Sequence, residues 1–169
     1  MYQLLTLVFN ICLFKKGPQD MPVAKALLFL LIPVYFCISL LVLILSMDFI
    51  HAVFQTLVEL ALLLGFVKGV LFFAKKPARY QQTASALIAT DSLISFFATP
   101  VMATLIGEGS AISIISIIAL MIWHWLVSGH IFSQALEKPF TFGLGLALLY
   151  ILVSSQVMGL IFPQMVVIE

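Results

Sequence analysis

The sequence predicts an all-α protein: a polytopic bundle of five transmembrane helices preceded by a short amphipathic helix lying in the interface. Three observations predict it. Of the 169 residues, 63% are hydrophobic and only 9% charged, against about 25% charged in a typical soluble domain. Five apolar runs each approach the ~20 residues needed to cross ~30 Å of hydrocarbon. No stretch alternates polar and apolar residues over ~10 positions, as a barrel strand would. A soluble fold of this length cannot hide so much apolar side chain, so the solvent is lipid.

Residues 1–14, "MYQLLTLVFNICLF", are apolar but too short to span. Gln3, Thr6 and Asn10 recur every three or four positions, a narrow polar stripe on a helix. A secretory signal places positive charge before its apolar core, whereas Lys15 and Lys16 follow this one. The segment therefore reads as an uncleaved interfacial helix with its lysines at headgroup level. "GPQDMP" interrupts the chain, and Asp20 is expected to cap the next helix with Pro22 in its first turn. The division is thus an N-terminal unit, 1–19, and a transmembrane domain, 20–169. Spans are expected at about 23–46, 51–73, 81–106, 111–135 and 140–162. The connectors "SMDFIH", "AKKPARY", "IGEGSA" and "LEKPF" are short, so successive spans run antiparallel. Pro33 and Pro100 each remove a backbone donor inside a span and are expected to kink it.

A formal net charge of +1 conceals a strong asymmetry. All eight cations, Lys15, Lys16, Lys25, Lys68, Lys75, Lys76, Arg79 and Lys138, fall toward one side of a five-span arrangement. Asp48, Glu108 and Glu169 mark the other side. The positive-inside rule then puts the N-terminus in the cytoplasm and the C-terminus outside, in a bacterial inner membrane. Cations scattered between apolar spans make no basic groove, which excludes nucleic acid as a partner. The partners implied are the lipid bilayer and other membrane proteins met through helix packing. Cys12 and Cys37 suggest neither a disulfide framework nor a zinc site.

Ionisable residues near the bilayer centre are the main functional signal. At 1.5 Å per residue, Asp91 and His124 fall near the centres of spans three and four, and Glu59 slightly outward of the centre of span two. Each costs about 2.5–3.5 kcal/mol on insertion scales, so they should face protein or water rather than lipid. One reading is packing: Asp91 with His124, or Glu59 with His124, bonds across helices. The other is a proton or ion relay through Glu59, Asp91 and His124. Around Asp91, Ser85, Ala86, Ala89, Thr90, Ser92, Ser95 and Thr99 permit close helix approach and hydroxyl bonds across the gap. Span three therefore reads as the central, protein-covered helix. Gly65 and Gly69 in span two, and Gly143 and Ala147 in span five, share the four-residue spacing of close-packing faces, with packing inside the chain the preferred use. His130 reads as an interfacial residue.

No Gly-rich phosphate loop, G-x-S-x-G elbow or H-E-x-x-H helix occurs, and no histidine pair has metal-ligand spacing. No catalytic residue, cofactor or metal is expected. The layout, together with "RYQQTASALIAT", Pro100 and "MIWHWLVSGHIFSQALEKPFTFGLGLALLYIL", resembles the bacterial Yip1-domain membrane proteins. That resemblance covers roughly residues 15–162 and lies in layout; the "DLYGP" signature of eukaryotic members is absent, so their vesicle-traffic role is not implied. The leading expectation is a non-enzymatic accessory, assembly or organising component within the bilayer. The alternative is a small proton- or ion-coupled carrier or channel subunit using Glu59, Asp91 and His124.

Overall fold

A computed structural model describes residues 2–162, and among them the regular structure is entirely helical. The helices are α1 (Tyr2–Cys12), α2 (Lys25–Leu43), α3 (Phe49–Phe73), α4 (Tyr80–Glu108), α5 (Ala111–Leu136) and α6 (Phe140–Ile161). Short 3-10 turns occupy Pro18–Asp20 and Pro77–Arg79. Helices α2 to α6 are each long and apolar enough to cross a membrane. Both Pro33 and Pro100 lie inside helices that continue past them. Glu169 and the side chain of Glu108, assigned by charge to the far end, lie outside the described residues.

The helix ends follow local chemistry. Asp20 does not cap α2. Its carboxylate turns back instead to accept from the Gly17 N–H at 2.9 Å and from Lys16 Nζ at 3.4 Å. That turn holds its carboxyl below the ordinary aspartate range, through the Gly17 N–H before the Lys16 charge. With Ala24 extended (φ −138°, ψ 120°), α2 begins at Lys25, past the expected residue 23. Asp48 caps α3 by accepting from the His51 N–H at 3.4 Å, which starts that helix two residues early. Gly109 closes α4 with φ 59°, the left-handed conformation glycine adopts without strain. Ser110 then accepts from the Ile112 N–H at 3.3 Å and opens α5.

Helix α4 is the centre of the bundle. It packs on α1, α2, α3 and α5, and every residue from Thr83 to Thr90 is buried. Helices α5 and α6 form a tight hairpin in which a Cβ on Gly143 would collide with the Gly129 carbonyl and Ser133. Ala147, one turn further, is fully buried, so the second small-residue face is used inside the chain. The first is not. A Cβ on Gly65 or Gly69 would meet nothing within 4 Å. The packed face of α3 runs instead through Ala52, Thr56, Leu60, Leu63, Val67 and Leu71, and the two glycines lie off it.

Helix α1 is part of the same core. Val8, Ile11 and Cys12 are buried with residues of the spanning helices, so residues 1–19 and 20–169 share one apolar cluster. Gln3 and Thr6 are exposed. A third stripe, Tyr2, Leu5, Phe9 and Leu13, is apolar and exposed. The Trp123 Nε1–H donates to the Cys12 carbonyl at 3.1 Å, satisfying one of the orphan acceptors at the end of α1.

A clamp closes the lysine-rich end. Arg79 Nη1 donates to the carbonyls of Gln134 (3.3 Å) and Ala135 (2.9 Å), and Lys76 Nζ to that of Leu136 (3.0 Å). These are carbonyls of the last turn of α5, where positive charge also complements the helix dipole. Glu137 ties the two cations together, accepting from Lys76 Nζ at 2.7 Å and pairing with Arg79. Beside it Gln82 Nε2 donates to the carbonyls of Gln19 (3.0 Å) and Met21 (2.9 Å), fastening the α1–α2 loop to α4.

Arg79→Ala should lower stability in detergent by about 1–3 kcal/mol, because it orphans carbonyls that Arg79 now satisfies. The exposed Lys75→Ala is the control, and equal losses for the two would refute the clamp. Lys76, and after it Arg79, hold the Glu137 carboxyl below its ordinary 4.5. A depressed carboxyl contributes stability above its unfolded pKa and loses it as pH falls through the folded value. Glu137→Gln should therefore flatten the acid limb of a melting-temperature profile while leaving its shape near neutrality unchanged. Burial pushes the Cys12 thiol up to about 12, so maleimide should label it only after unfolding. Rapid labelling of the native protein at Cys12 would mean that α1 is undocked.

Candidate functional site

Each spanning helix contributes one stripe to a common cavity of about 450 Å³. The stripes repeat every four residues: Tyr35, Ser39 and Leu43 on α2; Leu87, Asp91 and Ser95 on α4; His124, Ser128 and Phe132 on α5; Tyr150, Ser154 and Met158 on α6. Glu59 and Leu63 do the same on α3. Residues four apart lie one above the other on a helix, so each helix needs only its rotation fixed to line the cavity.

For α5 that rotation is fixed by two indoles. Trp123 donates toward α1, as described, while Trp125 Nε1–H donates to the Leu144 carbonyl of α6 at 3.0 Å. Neighbouring positions on a helix point about 100° apart. With Trp123 and Trp125 pinned to opposite neighbours, His124 between them is aimed at α4. His124 Nε2 lies 3.2 Å from Asp91 Oδ1. The two side chains keep 33% and 23% of their surface, so the pair borders the cavity and is not sealed within packed side chains.

Of the three residues singled out from sequence, the fold therefore brings Asp91 and His124 into contact and sets Glu59 in the same cavity wall. Glu59 does not pair with His124. Its carboxylate accepts from Gln55 Nε2 at 3.1 Å, one turn earlier on α3. The Gln55 Oε1 is buried without a partner among the described residues, leaving an acceptor turned toward the protein interior. Tyr35, Tyr150, Ser39 and Ser154 belong to the site and were not singled out from sequence. Their signal was present as polar pairs four apart, Tyr35 with Ser39 and Tyr150 with Ser154.

The hydroxyls around Asp91 do something other than expected. Thr90 Oγ1 donates to the Ala86 carbonyl (2.9 Å), Ser92 Oγ to that of Ile88 (2.7 Å) and Thr99 Oγ1 to that of Ser95 (2.9 Å). They bond back along α4 instead of across to neighbours, because a carbonyl four residues earlier is always within reach. The hydroxyl contact across helices lies further out, Thr104 with Ser113 at 2.9 Å. His130 stands outside the site, its Nε2 3.0 Å from the Lys16 carbonyl and its ring edge-on to Phe14.

The cavity has a floor at one end. Toward the lysine-rich end it stops at Leu63, Leu87 and Phe132, where Phe66 packs edge-to-face on Phe132 and against Tyr150. Toward the other end it continues to Leu43 and Met158, in the last turns of α2 and α6. No Lys or Arg among the described residues lines it. Among the described residues, no three His, Cys, Asp or Glu side chains converge to hold a metal ion.

Fold and site together define a class: a polytopic, all-α integral membrane protein with an acidic, histidine-bearing cavity between its helices. No family model, no curated protein and no solved structure matches the chain.

Asp91→Leu should destabilise the bundle by about 1–3 kcal/mol, because it removes the polar partner of His124. Measured transmembrane polar contacts average nearer ~0.6 kcal/mol, which marks the low end of the effect. Asp91→Asn should cost less, since an amide both donates and accepts. Thermal unfolding in detergent separates the two, and equal, negligible losses would mean that the pair contributes nothing to the fold.

Proposed function

We propose that the protein is a small carrier or channel subunit that takes a proton or a small cation into the cavity bordered by Glu59, Asp91 and His124. The observation that carries this reading is the convergence of two carboxylates and an imidazole, from three different helices, on one cavity with no Lys or Arg among the described residues of its walls. A pair kept only for packing would be enclosed by apolar contacts. This one borders space for on the order of ten water molecules, at ~30 Å³ each. Ionisable groups in contact with such a space, at membrane depth, mark ion and proton pathways. The acidic walls favour a cation over an anion, and the hydroxyls of Tyr35, Ser39 and Tyr150 can replace part of its hydration shell.

Orientation belongs to the same proposal. The clustering of Lys and Arg at one end supports a cytoplasmic N-terminus in a bacterial inner membrane, which turns the Leu43 and Met158 end of the cavity outward and its floor inward. A second reading, a non-enzymatic accessory or organising component with Yip1-like layout, is supported by the absence of any folded unit outside the bundle among the described residues. The short amphipathic lead-in and five long apolar helices support that layout too.

Reconstituted in liposomes containing a pH-sensitive dye, the protein should pass protons or a monovalent cation. Asp91→Asn should reduce that flux at least tenfold while the protein remains folded, and Glu59→Gln should reduce it less. Flux no greater than that of empty liposomes, for protons and for every monovalent cation tried, would favour the accessory reading. Reporter fusions after Lys76 should report cytoplasm and those after Met47 the outside; the reverse would invert the cavity.

A further inference from the structure

A second and larger concavity lies on the outer surface of the bundle, between α3 and α6, with Phe66 standing between it and the cavity just described. It encloses about 880 Å³. Val70 and Phe73 form one wall, Leu146 and Leu149 the other, and Gly69 leaves its bed without a side chain. A groove of this kind in a membrane helix bundle is filled by acyl chain whatever its sequence. Its rim is what makes it selective. At the clamp end it is bordered by Lys76, Glu137 and Lys138. The Glu137 carboxylate is held by Lys76 and Arg79, whereas the exposed Lys138 ammonium forms no ion pair among the described residues. With Arg79 on the other side of Glu137, three cations stand against one carboxylate, a local charge of +2.

We propose that this groove is a site for one anionic phospholipid, its phosphate held by Lys138 and Lys76 and an acyl chain lying over Gly69. Basic pockets between transmembrane helices at headgroup depth bind anionic lipid headgroups in this way. The apolar walls contribute little discrimination, because lipid surrounds the protein everywhere. Selectivity rests on the charge of the rim, and occupancy on the empty bed.

The test is lipid retention by native mass spectrometry in mild detergent, with equal amounts of phosphatidylglycerol and phosphatidylcholine. The wild-type protein should retain one phosphatidylglycerol in preference. Lys138→Gln should weaken that preference about fivefold, the equivalent of the ~1 kcal/mol that one basic side chain contributes near an anionic surface. Gly69→Leu should expel the lipid without impairing folding, since its Cβ enters open space. Lys25→Gln, at the same end but outside the groove, should change nothing. Equal retention of the two lipids would overturn the proposal, as would an unaffected Gly69→Leu variant. A loss for Lys25→Gln equal to that for Lys138→Gln would overturn it as well, reducing the effect to diffuse surface charge.

Discussion

The rotation of α5 about its own axis is the constraint from which the interior follows. Its two indole N–H groups need acceptors, and they find them on opposite sides, in Cys12 of α1 and Leu144 of α6. In a bilayer an unpaired donor has no water to fall back on, so both bonds are strongly preferred over any other rotation. Once they form, His124 has one direction left, and Asp91 stands in it. The close approach of Gly129 and Gly143 works with the second indole bond, because backbones in contact leave α6 no freedom to slide. A single aspartate in an apolar helix is thereby given a partner by residues that never touch it.

The two ends of the bundle are built differently. At the lysine-rich end, α4 is buried on all sides from Thr83 to Thr90, and α1, the loop before α2 and the clamp on the last turn of α5 close around it. Toward the other end, α4 grows more exposed, with Phe96 and Phe97 open to the surroundings, and the cavity runs up between the helices. Packing density and polar bonding therefore fall off along one axis. Local opening concentrates where buried contacts are few.

Much of this was legible in the chain. Apolar runs and short connectors located all five spanning helices, and the depth of Glu59, Asp91 and His124 picked out residues that share one cavity. What remained hidden depends on rotation about helix axes. Depth follows from counting residues, but which neighbour a side chain meets does not, so Glu59 was offered His124 and took Gln55 instead. The same limit applies to small residues: Gly65 with Gly69 and Gly143 with Ala147 read alike, yet only the second pair faces another helix. Asp20 shows the short-range version. A Gly17 N–H three residues back competed for its carboxylate and won over the helix ahead. The tyrosines of the cavity were passed over because a tyrosine in an apolar span is ordinary until its hydroxyl is given a place to point.

The floor made by Leu63, Leu87, Phe66 and Phe132 has an electrical consequence. Where a polar cavity reaches one face of the membrane, water and mobile ions follow it in, and the dielectric there no longer resembles hydrocarbon. The voltage across the membrane then falls mainly over what stays dry. On the proposed orientation, with the cavity wetted from the Leu43 and Met158 end, that would be the clamped half of the bundle, and the local field there would be correspondingly steeper. An elementary charge carried through it experiences the whole potential, about 2.3 kcal/mol per 100 mV, over a fraction of the usual distance. Two aromatic rings in edge contact would stand where that gradient is greatest.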